Sequence, residues 1–340
     1  MASTDLAQIA TSLVARDKGI LAADESDPTI AKRFKSVNIE NTEENRRAYR
    51  DMLFSTPDLE KYISGVILFD ETIRQSDSNG TPFARLLESR GIVPGIKVDK
   101  GAKDLAYFPG EKITEGLDGL RDRLKEYYEL GARFTKWRAV IDIGDDIPTN
   151  FVVHANGHAL ARFAALSQEA GLVPIVEPEV LMDGAHSIER CDEVTREVLK
   201  NLFIQLELHR VPLEGLLLKT NMVISGKKNS DRADVQTVAE KTVAALKETV
   251  PAELPGIVFL SGGQGDEEAT AHLDAMNKIG GFPWELSFSY GRALQAPSLA
   301  AWKGEPSNVE AGQNALFHRA RMNGAARSGA YSSDMENEAA

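Results

Sequence analysis

Cysteine is almost absent from this 340-residue chain: Cys191 is the only one. No disulfide within the chain is possible, and a reducing compartment is expected. Basic residues are also short, 39 against 51 acidic, for a net charge of -12. That balance argues against nucleic acid as a partner. It also means that positive charge for any anionic substrate must be gathered locally. No apolar run reaches the length of a membrane span, and Met1 to Gln8 carry no basic region or apolar core of a signal peptide. A cytoplasmic protein with no membrane partner is the expectation. What the chain does have is 42% hydrophobic and 26% charged residues, the mixture of a soluble globular protein with a large core.

Eight short apolar runs recur along the sequence. They begin at Gly19, Gly65, Gly95, Phe134, Leu172, Leu216, Ile257 and Leu286. Between them lie stretches with apolar residues near every third or fourth place: 117–129, 158–169, 188–208 and 235–248. Gly131 and Gly171 follow two of these and read as helix C-caps. Strand and helix alternating eight times predict a closed parallel barrel, one domain over residues 5–322. An extra helix is expected at 5–14 and another at 42–54. Residues 323–340 are small and polar, and a mobile C-terminal tail is expected there.

The chemistry lies at the ends of the apolar runs. Leu216-Leu217-Leu218 ends in Lys219. A lysine in a dry place has its charged form disfavoured, which is how a nucleophilic amine for Schiff-base chemistry is made. A snorkelling lysine is the plain alternative. The other runs decide between them, because most end in charge as well. Asp24-Glu25-Ser26 follow the first. Lys97 and Asp99 share a face of the third, as do Lys136 and Arg138 of the fourth. Glu177-Pro178-Glu179 end the fifth, and Ser289-Tyr290-Gly291-Arg292 follow the eighth. Charges at so many inward strand ends need partners and do not arise from packing. In a barrel of this kind, the C-terminal strand ends carry the catalytic residues. The turn Ser261-Gly262-Gly263-Gln264-Gly265 would let backbone N–H groups approach an oxyanion at the start of a helix over 267–279. Arg292 could add a bidentate contact. Lys32 and Arg33 form a second basic group, and two anion sites flanking a lysine suggest a sugar bisphosphate.

These residues resemble the class I fructose-bisphosphate aldolases. The resemblance is carried by Leu21-Ala22-Ala23-Asp24-Glu25-Ser26, the segment Glu40 to Arg47, Gly95 to Gly101, Pro174 to Glu179, Leu260 to Gln264, and Ser289 to Gln295. It implies a (β/α)8 TIM barrel, an α/β fold, that cleaves fructose 1,6-bisphosphate reversibly to dihydroxyacetone phosphate and glyceraldehyde 3-phosphate. No metal and no cofactor are implied; the partners would be a sugar phosphate and, in a homotetramer, three further copies of the chain. It implies a Schiff base on Lys219, with Glu177 as general acid/base and Asp24 as acceptor of the C4 hydroxyl proton. Lys136 would polarise the reacting oxygens, and Glu179 would belong to the same charge network. Ser261, Gly262, Ser289, Gly291 and Arg292, with the glycine turn through Gly263, would hold the C1 phosphate. Thr29, Arg33, Lys97 and Arg138 would belong to the other end.

The chain also departs from the family. Asp27-Pro28 stand where a small residue and glycine are usual, so weaker binding of the C6 phosphate is expected. Thr220 replaces a common proline, with little effect expected. The chain ends Glu338-Ala339-Ala340 rather than in the tyrosine of animal members, and Tyr331 is left out of the site. Three rivals remain open at this level. His154 and His158, four apart, could bind a metal, although Ala155-Asn156-Gly157 between them offer no acidic partner. A non-catalytic sugar-phosphate barrel would need no Lys219, Glu177 or Asp24. A transaldolase-like enzyme would share the Schiff base but need one phosphate site. Preference among fructose 1,6-bisphosphate, fructose 1-phosphate and sedoheptulose 1,7-bisphosphate stays open.

Overall fold

The computed structural model describes residues 3–337, with side chains from residue 5. The chain begins with helix α1 (Ser3–Leu13), strand β1 (Gly19–Ala22), α2 (Asp27–Ser36), α3 (Glu43–Phe54) and β2 (Ile63–Leu68). Then come α4 (Asp70–Ile73), α5 (Phe83–Ser89), β3 (Val93–Lys97) and a small antiparallel hairpin, β4 (Ala102–Asp104) with β5 (Lys112–Thr114). Next are α6 (Leu120–Glu129), β6 (Phe134–Ile141), α7 (Asn150–Glu169), β7 (Val173–Val180) and α8 (Ile188–Leu208). The last part is β8 (Leu217–Thr220), α9 (Val235–Thr249), β9 (Gly256–Phe259), α10 (Asp266–Ile279), β10 (Glu285–Tyr290), α11 (Arg292–Trp302) and α12 (Val309–Arg327). Eight parallel strands close in the order β1-β2-β3-β6-β7-β8-β9-β10, a (β/α)8 TIM barrel in a single domain.

Each strand has an inward face that changes character along its length. On β6 the period-two set Phe134, Lys136 and Arg138 runs from apolar to charged; on β7 it is Val173, Ile175, Glu177 and Glu179. The register sets Lys136 beside Ile175 and Arg138 beside Glu177. At the lower end Phe134, Ile175, Leu217 and Val258 form a buried cluster with Ile20 and Ile67. Helix α1 closes that end with Ala10 and Leu13, joined by Val14 just past the helix. Phe134 fits because β3 carries Gly95, whose Cβ would stand 2.3 Å from the ring. The apolar plug leaves the charged strand ends only one way to face, towards the C-terminal mouth.

The expected helices form, several with caps that explain their starts. Thr42 accepts from the Asn45 N–H, Ser187 from Arg190 and Asp234 from Thr237. Helix α7 starts at Asn150, eight residues before the expected start. Gly131 and Gly171 adopt φ of 109° and 79° just past α6 and α7, the left-handed region that ends a helix. The expected boundary at residue 322 falls inside α12, which runs to Arg327 because Asn323 is fully buried, bonded to Thr270 and to the Arg319 carbonyl. Beyond it, Tyr331 is buried and its N–H donates to Asp274. Arg319, His318 and the Tyr331 hydroxyl all bond Glu336. The tail as far as residue 337 thus lies pinned against α10 and α12; residues 338–340 lie outside the described residues. No described helix is long and apolar enough to cross a membrane.

Candidate functional site

A cavity of about 330 Å³ opens at the C-terminal mouth of the barrel. At its floor three strands and one loop converge on four charged groups. Lys219 Nζ, on β8, is 3.3 Å from Glu177 Oε1 on β7. Lys136 Nζ, on β6, is 3.3 Å from Glu177 Oε2 and 2.7 Å from Asp24 Oδ2, just past β1. Lys136, Glu177 and Lys219 are each 3–4% exposed. The Arg138 guanidinium pairs with Glu179 at the next level up.

Electrostatics fixes most of these protonation states. Burial alone would raise the Asp24 carboxyl, but Lys136 and then Lys219 outweigh it and hold Asp24 well below the usual carboxylate range. Glu177 behaves likewise: burial opposes its charge, and Lys136, Lys219 and Arg138 overcome burial to lower it. Lys136 moves the other way. Burial disfavours its charge, yet Asp24, Glu177 and Asp99 push the ammonium well above the usual lysine range. The cluster therefore holds two carboxylates and one fixed cation around Lys219. It can stabilise an anion, pass a proton through Glu177 and accept one on Asp24.

Two further groups flank the cluster. On one side Ser261, Gly262, Ser289, Gly291 and Arg292 line the cavity. Ser289 Oγ is buried there with no protein partner, a donor free for a ligand. Arg292 donates through Nη2 to the carbonyls of Ser261 (2.9 Å) and Gln264. On the other side are Thr29, Arg33, Lys97 and Arg138. Lys97 Nζ meets Asp99 Oδ1 at 2.7 Å, and Ser26 Oγ lies 3.3 Å from Thr29 Oγ1. Arg33 stands nearer the first group than expected: a Cβ on Gly291 would lie 3.5 Å from its Nη2. Asp27 opens α2 with an exposed side chain whose Oδ1 lies 3.6 Å from Arg46 Nε; Pro28 follows it without an N–H.

Gly263 is the one expected residue outside the cavity lining. Its φ is 86°, and a Cβ would strike Met182 Cγ at 2.4 Å, so its place is the bend of the turn. His154 Nδ1 contacts Asn201 Nδ2 at 2.7 Å, and the His158 ring packs 4.8 Å from that of His209. Among the described residues no third His, Cys, Asp or Glu completes a metal-ligand group with this pair. Tyr331 is absent from the lining.

Glu25 was missed as a functional position. It is 7% exposed and accepts from Arg33, from Arg50 (2.6 Å) and from Gln295 (2.7 Å). It thereby holds Arg33 at the cavity wall. The available signal was its place beside Asp24: neighbours on an extended segment point to opposite sides. Asp99 was likewise legible only as half of a pair. It also accepts the N–H groups of Gly101 and Arg138, tying β3 to β6.

Comparisons with known proteins bear on the family and the fold. A family model described as fructose-bisphosphate aldolase class-I matches residues 5–340. A probable fructose-bisphosphate aldolase class 1 of Xanthomonas axonopodis pv. citri is 60% identical, over 97% of this chain and 99% of its own. Cytosolic fructose-bisphosphate aldolase 4 of Arabidopsis thaliana is 53% identical, over 94% of this chain and 81% of its own. Among solved structures, fructose-bisphosphate aldolase from Plasmodium falciparum superposes with a TM-score of 0.95 at 50% identity, covering 97% of this chain and 95% of that one.

Proposed function

The chain belongs to the class-I fructose-bisphosphate aldolase family and is an aldolase, a carbon–carbon lyase; on that premise we propose that it cleaves fructose 1,6-bisphosphate reversibly through a Schiff base on Lys219, without a metal. The observation that carries this reading is Glu177 placed 3.3 Å from Lys219, with the Lys136 ammonium on its other oxygen.

Glu177 takes a proton from the Lys219 ammonium and frees the amine, which attacks the C2 carbonyl. The proton returns from Glu177 to the carbinolamine hydroxyl, which leaves as water, and Glu177 is an anion again. The protonated imine that remains draws electrons from the C3–C4 bond. Asp24, kept ionised by Lys136, accepts the C4 hydroxyl proton as the aldehyde departs. Lys136 keeps its charge and steadies the reacting oxygens, while Glu179 orients Arg138. Ser261, Gly262, Ser289, Gly291 and Arg292 take the C1 phosphate, with Gly263 shaping their turn. Thr29, Lys97 and Arg138 serve the other end, and Arg33 stands between the two.

The enzyme would act in glycolysis and gluconeogenesis, as a homotetramer in the cytoplasm. The relative named as cytosolic supports the location; sedimentation at micromolar concentration tests the assembly, with a monomer as the contrary result. The mechanism is tested by incubating the protein with dihydroxyacetone phosphate, reducing with borohydride and mapping the adduct by mass spectrometry, with and without chelator. The adduct should sit on Lys219 in both cases. An unlabelled Lys219, or labelling that a chelator abolishes, would overturn the proposal. Cleavage rates for the three ketose phosphates then separate this reading from a transaldolase-like one.

A further inference from the structure

The turn at residues 261–265 is held from behind by a histidine that touches no part of the cavity. His272 lies on the second turn of α10 and is 2% exposed. Its Nδ1 is 2.8 Å from Gln264 Nε2. The same amide nitrogen lies 3.0 Å from Met222 Sδ, so both of its hydrogens are spoken for. Gln264 is itself 2% exposed, and its main-chain carbonyl receives Arg292 Nη2. Glu268, one turn before His272, accepts the Gly265 N–H at 3.0 Å and pairs with Arg232 at 3.2 Å. Helix α10 thus grips the turn at two points. Glu268 holds the N–H of the peptide whose carbonyl meets Arg292, and His272 holds the side chain of Gln264, the residue that carries that carbonyl.

The acceptor role requires a ring without a proton on Nδ1. Burial pushes the imidazole down to about 4, against the smaller opposing effect of Glu268 and with that of Arg232. The ring is therefore an acceptor throughout the neutral range. Without it Gln264 would keep only a thioether, a weak acceptor, and a turn that bends at Gly263 would lose its fixed orientation.

We propose that His272 is a positioning residue for the anion-binding turn, holding Gln264 and, through the Gln264 main chain, setting the Arg292 guanidinium at the mouth of the barrel. The proposal rests on the reading that this turn takes the C1 phosphate. The test measures steady-state kinetics with fructose 1,6-bisphosphate and competitive inhibition by inorganic phosphate. His272→Leu should raise KM and the phosphate inhibition constant together, roughly three- to tenfold for one lost hydrogen bond, with kcat within about twofold. His272→Asn, which keeps a side-chain acceptor, should restore both. If His272→Leu does not fold, Gln264→Met should show the same rise in KM, because its side chain cannot donate. Arg292→Ala separates the two levels. If it leaves phosphate inhibition unchanged, the placement of the phosphate is wrong. If it weakens inhibition while a folded His272→Leu, or Gln264→Met, does not, the role of His272 alone is overturned.

Discussion

Replacing Lys136 by methionine keeps the length of the side chain and removes its charge. In the native cluster that charge lies 2.7 Å from Asp24 and 3.3 Å from Glu177, with Lys136 4% exposed. At a separation near 3 Å and an effective dielectric near 20, each attraction is about 5 kcal/mol. Water and side-chain relaxation recover part of this, leaving about 3 kcal/mol per carboxylate, the lower end of what breaking a buried pair costs. That is about a hundredfold in proton affinity. The sign follows from the native state, where both carboxyls are depressed and ionised at neutral pH. Without Lys136 both proton affinities rise, with Lys219 left as the cation common to both, Arg138 still acting on Glu177 and Lys97 on Asp24. The acid limb of the kcat profile should therefore move up by about two pH units, on top of a lower plateau. Stability should respond in parallel. Depressed carboxyls stabilise the fold above their unfolded pKa, near 4, and that contribution fades as pH falls through the folded values. The Lys136→Met variant should thus be most destabilised relative to wild type near neutrality, the gap closing in acid. A coupled assay from pH 4.5 to 9 and urea titrations at several pH values read both effects. An acid limb that stays in place, or a stability gap indifferent to pH, refutes the reasoning.

Three other changes test separate parts of the site. Asp27→Thr with Pro28→Gly removes an exposed carboxylate at the start of α2 and restores an N–H; KM for the bisphosphate should fall about three- to fivefold, more than for fructose 1-phosphate, and an equal change for both sugars sinks the idea. Tyr331→Phe loses one hydrogen bond to Glu336, worth about 1 kcal/mol. Proton exchange at C3 of dihydroxyacetone phosphate should persist; a large loss would show that Tyr331 serves the reaction. Glu25→Gln leaves Arg33 and Arg50 without their shared counter-charge, Arg50 being 2% exposed. Urea unfolding should show a loss of about 3 kcal/mol, and a loss below about 1 kcal/mol would mean that Glu25 does not hold the arginines.

The barrel and its charged mouth were legible because the two patterns lie on the same strands. A buried parallel strand reads as an apolar run, and a charge at its end stands out. What stayed hidden was polar and buried, or exposed and short. The first turns of α7 escaped the helical pattern because Asn156 occupies a core position, bonding the Lys112 carbonyl and the Thr114 N–H, and Gly157 lets α8 approach until a Cβ would meet Asn201. The end of α12 escaped because Arg319, Asn323 and Arg327 are buried there. The hairpin of β4 and β5 has three residues a strand, and β4 is wholly exposed, so no alternation marks it. The role of Glu25 was only partly marked, by its place beside Asp24. Arg33 lies eight residues on, but Arg50 and Gln295 lie 25 and 270 residues away, beyond any local spacing.

The charge balance of the cavity suits the proposed substrate, a sugar with two phosphates, although the chain is acidic. Around its wall six cations, Arg33, Lys97, Lys136, Arg138, Lys219 and Arg292, face five carboxylates, although the chain as a whole carries -12. The pairing is uneven. At the floor, Lys136 and Lys219 are matched by Asp24 and Glu177. Lys97 is matched by Asp99 and Arg138 by Glu179. The surplus lies elsewhere. Arg33 and Arg50 share the single Glu25, and Arg292 is turned to two carbonyls with Asp266 at 3.6 Å. A balanced floor suits proton transfer, because a net charge there would fix every group in one state. An unbalanced wall suits phosphate, because a guanidinium satisfied by carbonyls can exchange them for an anion more readily than one closed in a salt bridge. The same distinction separates the two central lysines. Lys136 is held by two carboxylates that keep it charged, whereas Lys219 faces a single carboxylate, at 3.3 Å.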